Sequence, residues 1–145
     1  MMARLCRFAT AAGGGTAVEF ALVVGPLVLL MFGLVEGGRY LWTRQALYSA
    51  ANEGARCMGV VQLACADGGA YSSDRVTEFV IGKAAGMRVD ISAADVTLDH
   101  DATCAGIAGF SRVEIRTEFV TALPMLGGLS EGVPLSAWAC FPNQA

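Results

Sequence analysis

The chain has 145 residues, a hydrophobic share of 54% and a formal charge of −3 from 10 basic and 13 acidic side chains. That length holds one small folded domain at most, once a membrane segment is set aside. The acidic balance speaks against nucleic acid as a partner, because such binders carry clustered positive charge.

Residues 1–14 form a short arm with Arg4 and Arg7 and no acid, ending in Gly13 and Gly14, with Gly15 next. Its apolar content is too broken for the core of a secretory signal. From Phe20 to Val35 run 16 consecutive residues without a charge. With Ala17 and Val18 before and Gly37 and Gly38 after, the segment is long enough to cross a bilayer. A spanning helix needs about 20 mostly apolar residues at about 1.5 Å rise each. Glu19 stands one residue before the apolar block, where a carboxylate calls for a partner or a function. Pro26, next to Gly25, lies inside the span, removes one backbone donor and is expected to kink the helix. An ordinary secretory signal cut near Glu36 competes with this reading. Against it, 16 residues is slightly long for such a core, and Glu19 is misplaced in a flank meant to be basic.

From Glu36 to Leu63 the pattern stays helical. Leu47, Ala50, Ala51, Gly54, Met58 and Val61 recur at three- and four-residue steps and make one face of small residues, which lets a packing partner approach closely. Arg39, Arg44, Glu53 and Arg56 lie mostly off it, and Glu53 and Arg56 are spaced to pair. Tyr40 and Trp42 read as an aromatic belt at the outer edge of the span. The stretch 64–73 reads as a loop. Ser73 or Asp74 caps a second helix to about Ala85, with Val76, Phe79, Val80 and Ala84 inward and Gly86 ending it. Beyond it the period changes to two: Val89 and Ile91, then Val96 and Leu98, alternate with polar residues. Over 110–121, Val113, Ile115, Thr117, Phe119 and Thr121 alternate with Arg112, Glu114, Arg116 and Glu118, as in a strand with one solvated, charged face. Residues 123–128 form a Pro- and Gly-containing connection. A last strand over 133–141 puts Val133, Leu135, Ala137 and Ala139 on one side. The expected fold class is α+β: a long N-terminal membrane helix followed by a small domain with a short helix and an antiparallel sheet of about three strands.

Cys57, Cys65, Cys104 and Cys140 all follow the span, and an even set on one side of a membrane fits two disulfides in an oxidising compartment. Three pairings exist; the reading favours a short Cys57–Cys65 loop and a Cys104–Cys140 staple on the last strand, with four buried free thiols as the alternative. Zinc fits poorly, since the spacing contains no CxxC and His100 is the only histidine. No catalytic constellation is present: His100 between Asp99 and Asp101 reads as a solvated turn, and Asp-His-Asp lacks the glycine and distal acid of a calcium loop. Gly13–Gly15 is not a phosphate loop. No cofactor and no metal is expected.

A basic arm, a glycine, and then an acid and an aromatic opening an apolar helix resemble the leader of type IV prepilins. Ala17-Val18-Glu19-Phe20-Ala21-Leu22-Val23, Pro26, Phe32-Gly33-Leu34-Val35-Glu36, Gly38-Arg39 and Ala51-Asn52-Glu53-Gly54-Ala55-Arg56 resemble TadE-like minor pseudopilins of the Tad (tight adherence, type IVc) pilus system. Gly37 departs from the bulky residue usual there. The connection at 123–128 is similar to the one such proteins have before their final strand. The resemblance implies cleavage by a prepilin peptidase between Gly14 and Gly15, which makes Glu19 the fifth residue and Phe20 the sixth. It also implies that Glu19 pairs with the new N-terminal ammonium of a neighbouring subunit. Removing Arg4 and Arg7 with the leader leaves 8 basic against 13 acidic groups, a formal −5.

The implied division is a leader over 1–14, a transmembrane and assembly helix over 15–38, and a helix extension with an extracytoplasmic domain over 39–145. Implied partners are the prepilin peptidase, the major pilin and other pseudopilins, the Tad inner-membrane platform proteins and membrane lipid. Arg4 and Arg7 before the span balance Arg39 and Arg44 after it, so charge alone barely orients the chain. The cysteines and the leader resemblance put the N-terminus in the bacterial cytoplasm, the chain in the inner membrane, and the domain outside, with entry into the pilus left open. An uncleaved single-pass protein with an outer binding domain is the alternative reading.

Overall fold

The computed structural model describes residues 15–121 and 132–144. The expected leader over 1–14 and the connection over 123–128 lie outside the described residues. The chain divides into two compact units, Met1–Gly38 and Arg39–Ala145. The elements are α1 (Gly15–Gly59), the two-residue strands β1 (Ala66–Asp67) and β2 (Ala70–Tyr71), α2 (Ser73–Gly86), β3 (Val96–Cys104), β4 (Ile107–Phe119) and β5 (Val133–Pro142). The class is α+β, consistent with a pilin-like plan.

In the first unit, α1 is built from Ala, Leu, Val and Met around a single proline, Pro26, and its assignment as helix is unbroken there. The missing N–H of Pro26 leaves the carbonyl of Leu22 without its intrahelical donor.

In the second unit the rest of α1 becomes a packing helix. Ala46, Leu47, Ala50, Ala51, Gly54, Ala55, Cys57, Met58 and Gly59 are buried, which is the expected small-residue face with Val61 left out. The helix stops earlier than the pattern suggests. Gln62 N–H donates to the Cys57 carbonyl (3.0 Å) and Val61 N–H to Met58 (3.2 Å), a Schellman closure with Val61 in the left-handed region at φ 50°. A β-branched residue is strained in that region, so no glycine marks this end.

The same device ends α2. Val89 N–H reaches the Ala84 carbonyl (3.0 Å), Arg88 N–H reaches Ala85 (2.9 Å), and Arg88 has φ 61°. Gly86, expected to end the helix, is its last residue, and the left-handed position falls two residues later. Val76, Val80 and Ala84, four apart, are buried along one stripe, and Phe79 packs at its edge. Asp74 in the first turn and Lys83 in the last complement the helix dipole. Glu53 pairs with Lys83 of α2 at 2.5 Å, not with Arg56 as its spacing suggests.

The stretch expected as a loop after α1 contains the small β1–β2 hairpin, turned at Gly68 and Gly69 with φ 60° and 87°. Val89 and Ile91 precede the sheet without joining it, and a single 3-10 turn at Ala93–Asp95 leads into β3. The main sheet is antiparallel in the order β3-β4-β5. β3 and β4 turn at Ala105 and Gly106 (φ 53° and 84°), a two-residue turn whose twist matches the strands. β3 carries irregularities between Asp99 and Ala102 and between Ala102 and Cys104. β4 and β5 pair without interruption from Phe110↔Pro142 to Phe119↔Val133.

Val113, Ile115, Phe119, Leu135, Ala137 and Ala139 face the buried stripes of α1 and α2 and complete one core. A Cβ on Gly54 would collide with a methyl of Val80 and touch Val113, so glycine lets α1 approach both α2 and the sheet. Arg112, Glu114 and Arg116 alternate with these core residues and occupy the outward face, as the pattern predicts.

Candidate functional site

The candidate assembly element is the exposed first part of α1. Gly15 opens the helix, Glu19 lies one turn in, and Phe20 beside it is 69% exposed. Val18, Leu22, Val23 and the apolar residues from Leu27 to Val35 are exposed as well. No residue of the most apolar 18-residue window of this helix is buried within the chain, and the helix is long and apolar enough to cross a membrane. At about 1.5 Å rise per residue, the part of α1 in the first unit, 15–38, extends about 36 Å, against a hydrocarbon core of about 30 Å. An uncovered apolar helix of that length cannot be stable in water alone, since each buried CH₂ is worth about 0.8 kcal/mol. Cβ atoms on Gly25, Gly33, Gly37 and Gly38 would meet nothing within 4 Å. Gly14, the other half of the expected processing site, lies outside the described residues.

Where α1 enters the second unit, its aromatic residues have protein partners. Tyr40 packs edge-on against Phe119 at 5.6 Å between ring centroids, and the Arg39 guanidinium lies 5.5 Å from the same ring. The indole N–H of Trp42 donates to the Met87 carbonyl at 3.1 Å. The pair read as a membrane belt thus also anchors α1 to the segment after α2 and to β4.

Two cysteine pairs stand at bonding distance. Cys57 and Cys65 have Sγ atoms 2.01 Å and Cα atoms 5.9 Å apart, and they close the turn after α1. Cys104 and Cys140 have Sγ atoms 1.88 Å and Cα atoms 6.5 Å apart, linking β3 and β5 on either side of β4. Strands two apart in a flat sheet lie about 9.6 Å from each other, so the β3–β4 hairpin must coil towards β5. The irregularities of β3 and the positive φ of Gly109 (87°) provide that bend.

His100 is not in a solvated turn. It lies on β3, its ring 4.4 Å from that of Tyr71, with Nδ1 3.0 Å from the Asn143 amide nitrogen. Asn143 Nδ2 also donates to the His100 carbonyl (2.6 Å), and the hydroxyl of buried Ser111 donates to Asn143 Oδ1 (2.6 Å). Asn143 N–H bonds Gly109 and Gln144 N–H bonds the Gly59 carbonyl, both at 2.9 Å, so the tail after β5 clasps the sheet to the end of α1. Sequence reasoning missed this cluster because Asn143 is 43 residues from His100 and carries no pattern.

On the outward face of the sheet Glu114 accepts from Arg116 Nε at 2.6 Å and from Arg112 at 2.9 Å. The Arg116 hydrogen bond is the chief cause that holds its carboxyl below the usual range, against the opposing effect of burial. The Arg112 guanidinium lies 5.2 Å from the Trp138 ring. Among the described residues no group of three or more His, Cys, Asp or Glu is placed to hold a metal ion.

No curated protein and no solved structure matches this chain. Residues 14–56 match the family model described as TadE-like protein. The match covers the whole uncovered part of α1 and its packing face up to Arg56, and it leaves the sheet outside. The segment that carries the apolar helix is therefore similar to TadE-like proteins.

Proposed function

We propose that the chain is a TadE-like minor pseudopilin, made as a membrane-anchored precursor and cut by a prepilin peptidase between Gly14 and Gly15. Its place is the bacterial inner membrane, N-terminus in the cytoplasm and stapled domain outside. There it supports assembly of an adhesive Tad pilus with the major pilin, other pseudopilins and the platform proteins. The observation that carries this reading is one acid, Glu19, one turn into an apolar helix whose most apolar stretch no described residue buries, within the segment that matches the TadE-like model. Such a helix calls for lipid or neighbouring helices around it. A carboxylate carried among them calls for a cation, since an unpaired buried charge costs several kcal/mol. An amine freed at Gly15 of a neighbour supplies that cation and sets the register.

The test is the mature N-terminus, read by mass spectrometry on protein from its own cells. A start at Gly15 supports the proposal. An intact Met1 in cells making normal pili leaves an anchored binding domain, and a start near Glu36 means plain secretion. Glu19→Gln is expected to leave cleavage largely intact and to weaken co-assembly with pilins; normal piliation in that variant counts against the charge couple.

A further inference from the structure

Among the described residues, the two outer strands of the main sheet, β3 and β5, pair with no further strand, and they are built differently. On β3 the carboxylates of Asp99 and Asp101 put charge along the strand, and two irregularities interrupt its pairing. Charge and bulges of this kind keep an edge from pairing with another chain. β5 has neither: Val133–Pro142 contains no charged residue, and its register with β4 is unbroken.

The hydrogen-bond phase of β5 follows from its end. Asn143 N–H donates to the Gly109 carbonyl, so 143 and 109 form a bonded pair of the ladder. Bonded and non-bonded pairs alternate in an antiparallel ladder. Leu135, Ala137, Ala139 and Phe141 therefore bond to β4, while Pro134, Ser136, Trp138, Cys140 and Pro142 direct their backbone groups away from it. Both prolines fall on the outward phase, where a missing N–H costs the sheet nothing. Between them, Ser136, Trp138 and Cys140 present N–H and C=O groups that no described backbone group pairs.

This edge is symmetric about Trp138, with Ser136 and Cys140 two residues to either side and Pro134 and Pro142 four. Trp138 is 53% exposed, and the Arg112 guanidinium over its ring comes from the β4 side. We propose that β5 is a self-recognition edge: a second copy of this chain pairs with it antiparallel about a two-fold axis at Trp138, continuing the sheet as β3-β4-β5-β5-β4-β3. In this register Trp138 faces Trp138, each Ser136 faces a Cys140, and proline faces proline, so every outward N–H meets a carbonyl. Like charges do not meet because the strand has none, and cross-strand aromatic pairs stabilise such ladders. Isologous pairing of one patch with itself is the commonest form of closed oligomer. The inference rests on β5 alone and holds whether or not the leader is cut.

The test uses the full chain in detergent micelles, with mass read by native mass spectrometry. The wild type is expected at twice the chain mass. Trp138→Glu and Trp138→Lys, each placing like charges at the axis, are expected at the single mass, and their equimolar mixture is expected to recover the double mass as a one-to-one pair. Trp138→Cys is expected to form a covalent dimer on oxidation, since residues facing each other in a bonded pair have Cα atoms about 5.5 Å apart, within disulfide reach. Thr97→Cys on β3 is expected not to. A wild type of single mass at every concentration overturns the proposal, as does a double mass that survives Trp138→Glu. Cross-linking of Trp138→Cys in membranes solely to a different protein overturns it in favour of a foreign strand at the same edge.

Discussion

Gly54→Ala tests the claim that α1 is shaped for close approach. On helix propensity alone the change stabilises, by about 1 kcal/mol. In place, the added Cβ would fall within the radius of the Val80 methyl and touch both methyls of Val113 at 3.5 and 3.7 Å. Val80 is fully buried, and a β-branched residue in a helix has one strongly preferred rotamer, so its methyl cannot swing aside. Overpacking of this kind costs about 1–3 kcal/mol, and packing therefore wins. The expected net loss is about 1 kcal/mol, or about 4–8 °C in Tm for a unit of this size. Thermal unfolding of the full chain in detergent, followed by near-UV circular dichroism, reads it. The double variant with Val80→Ala, which opens space for the new Cβ, is expected to recover part of the loss as a coupling of about 1 kcal/mol. A higher Tm for Gly54→Ala, or additive behaviour in the double variant, would refute the reasoning.

Val61→Gly relieves a β-branched residue at φ 50° and is expected to raise stability by about 0.5–1 kcal/mol in the same assay, after the greater flexibility of glycine in the unfolded chain is set against it. Chain-entropy reasoning gives the Cys57–Cys65 link, 8 residues apart, about 2.6 kcal/mol and the Cys104–Cys140 link, 36 apart, about 3.8. Denaturant titration of the two double Cys→Ala variants is thus expected to find the second about 1 kcal/mol less stable. Glu114 has a carboxyl pKa below its ordinary 4.5, so its contribution is fully present above that value and disappears as pH falls through the lowered folded value. Glu114→Gln is expected to flatten the pH dependence of Tm over that acid window and to leave it unchanged near neutrality.

The uncovered helix, the small-residue face at Leu47–Met58, the inner stripe of α2 and the alternation of β4 and β5 were readable because each repeats over several turns or pairs. What escaped was short, distant or strained. β1 and β2 have two residues each, too few to show a period. Both helix ends use a non-glycine left-handed residue, Val61 and Arg88, so the usual signal at Gly86 pointed two positions early. Glu53 finds Lys83, 30 positions along the chain, since bringing α2 beside α1 is a result of burial and not of local spacing. His100 reads as solvated for the same reason: Asn143, itself held by the Ser111 hydroxyl, meets it through the register of three strands.

The clasp of Asn143 and Gln144 has a consequence for synthesis. Ribosomes deliver the Ala46–Gly59 face of α1 long before β5 and the tail that closes on the Gly59 carbonyl. Until then this face, made for contact closer than most side chains allow, waits without its natural cover. A cell making this protein in quantity therefore needs either rapid completion of the C-terminal strand or an escort that shields the waiting helix.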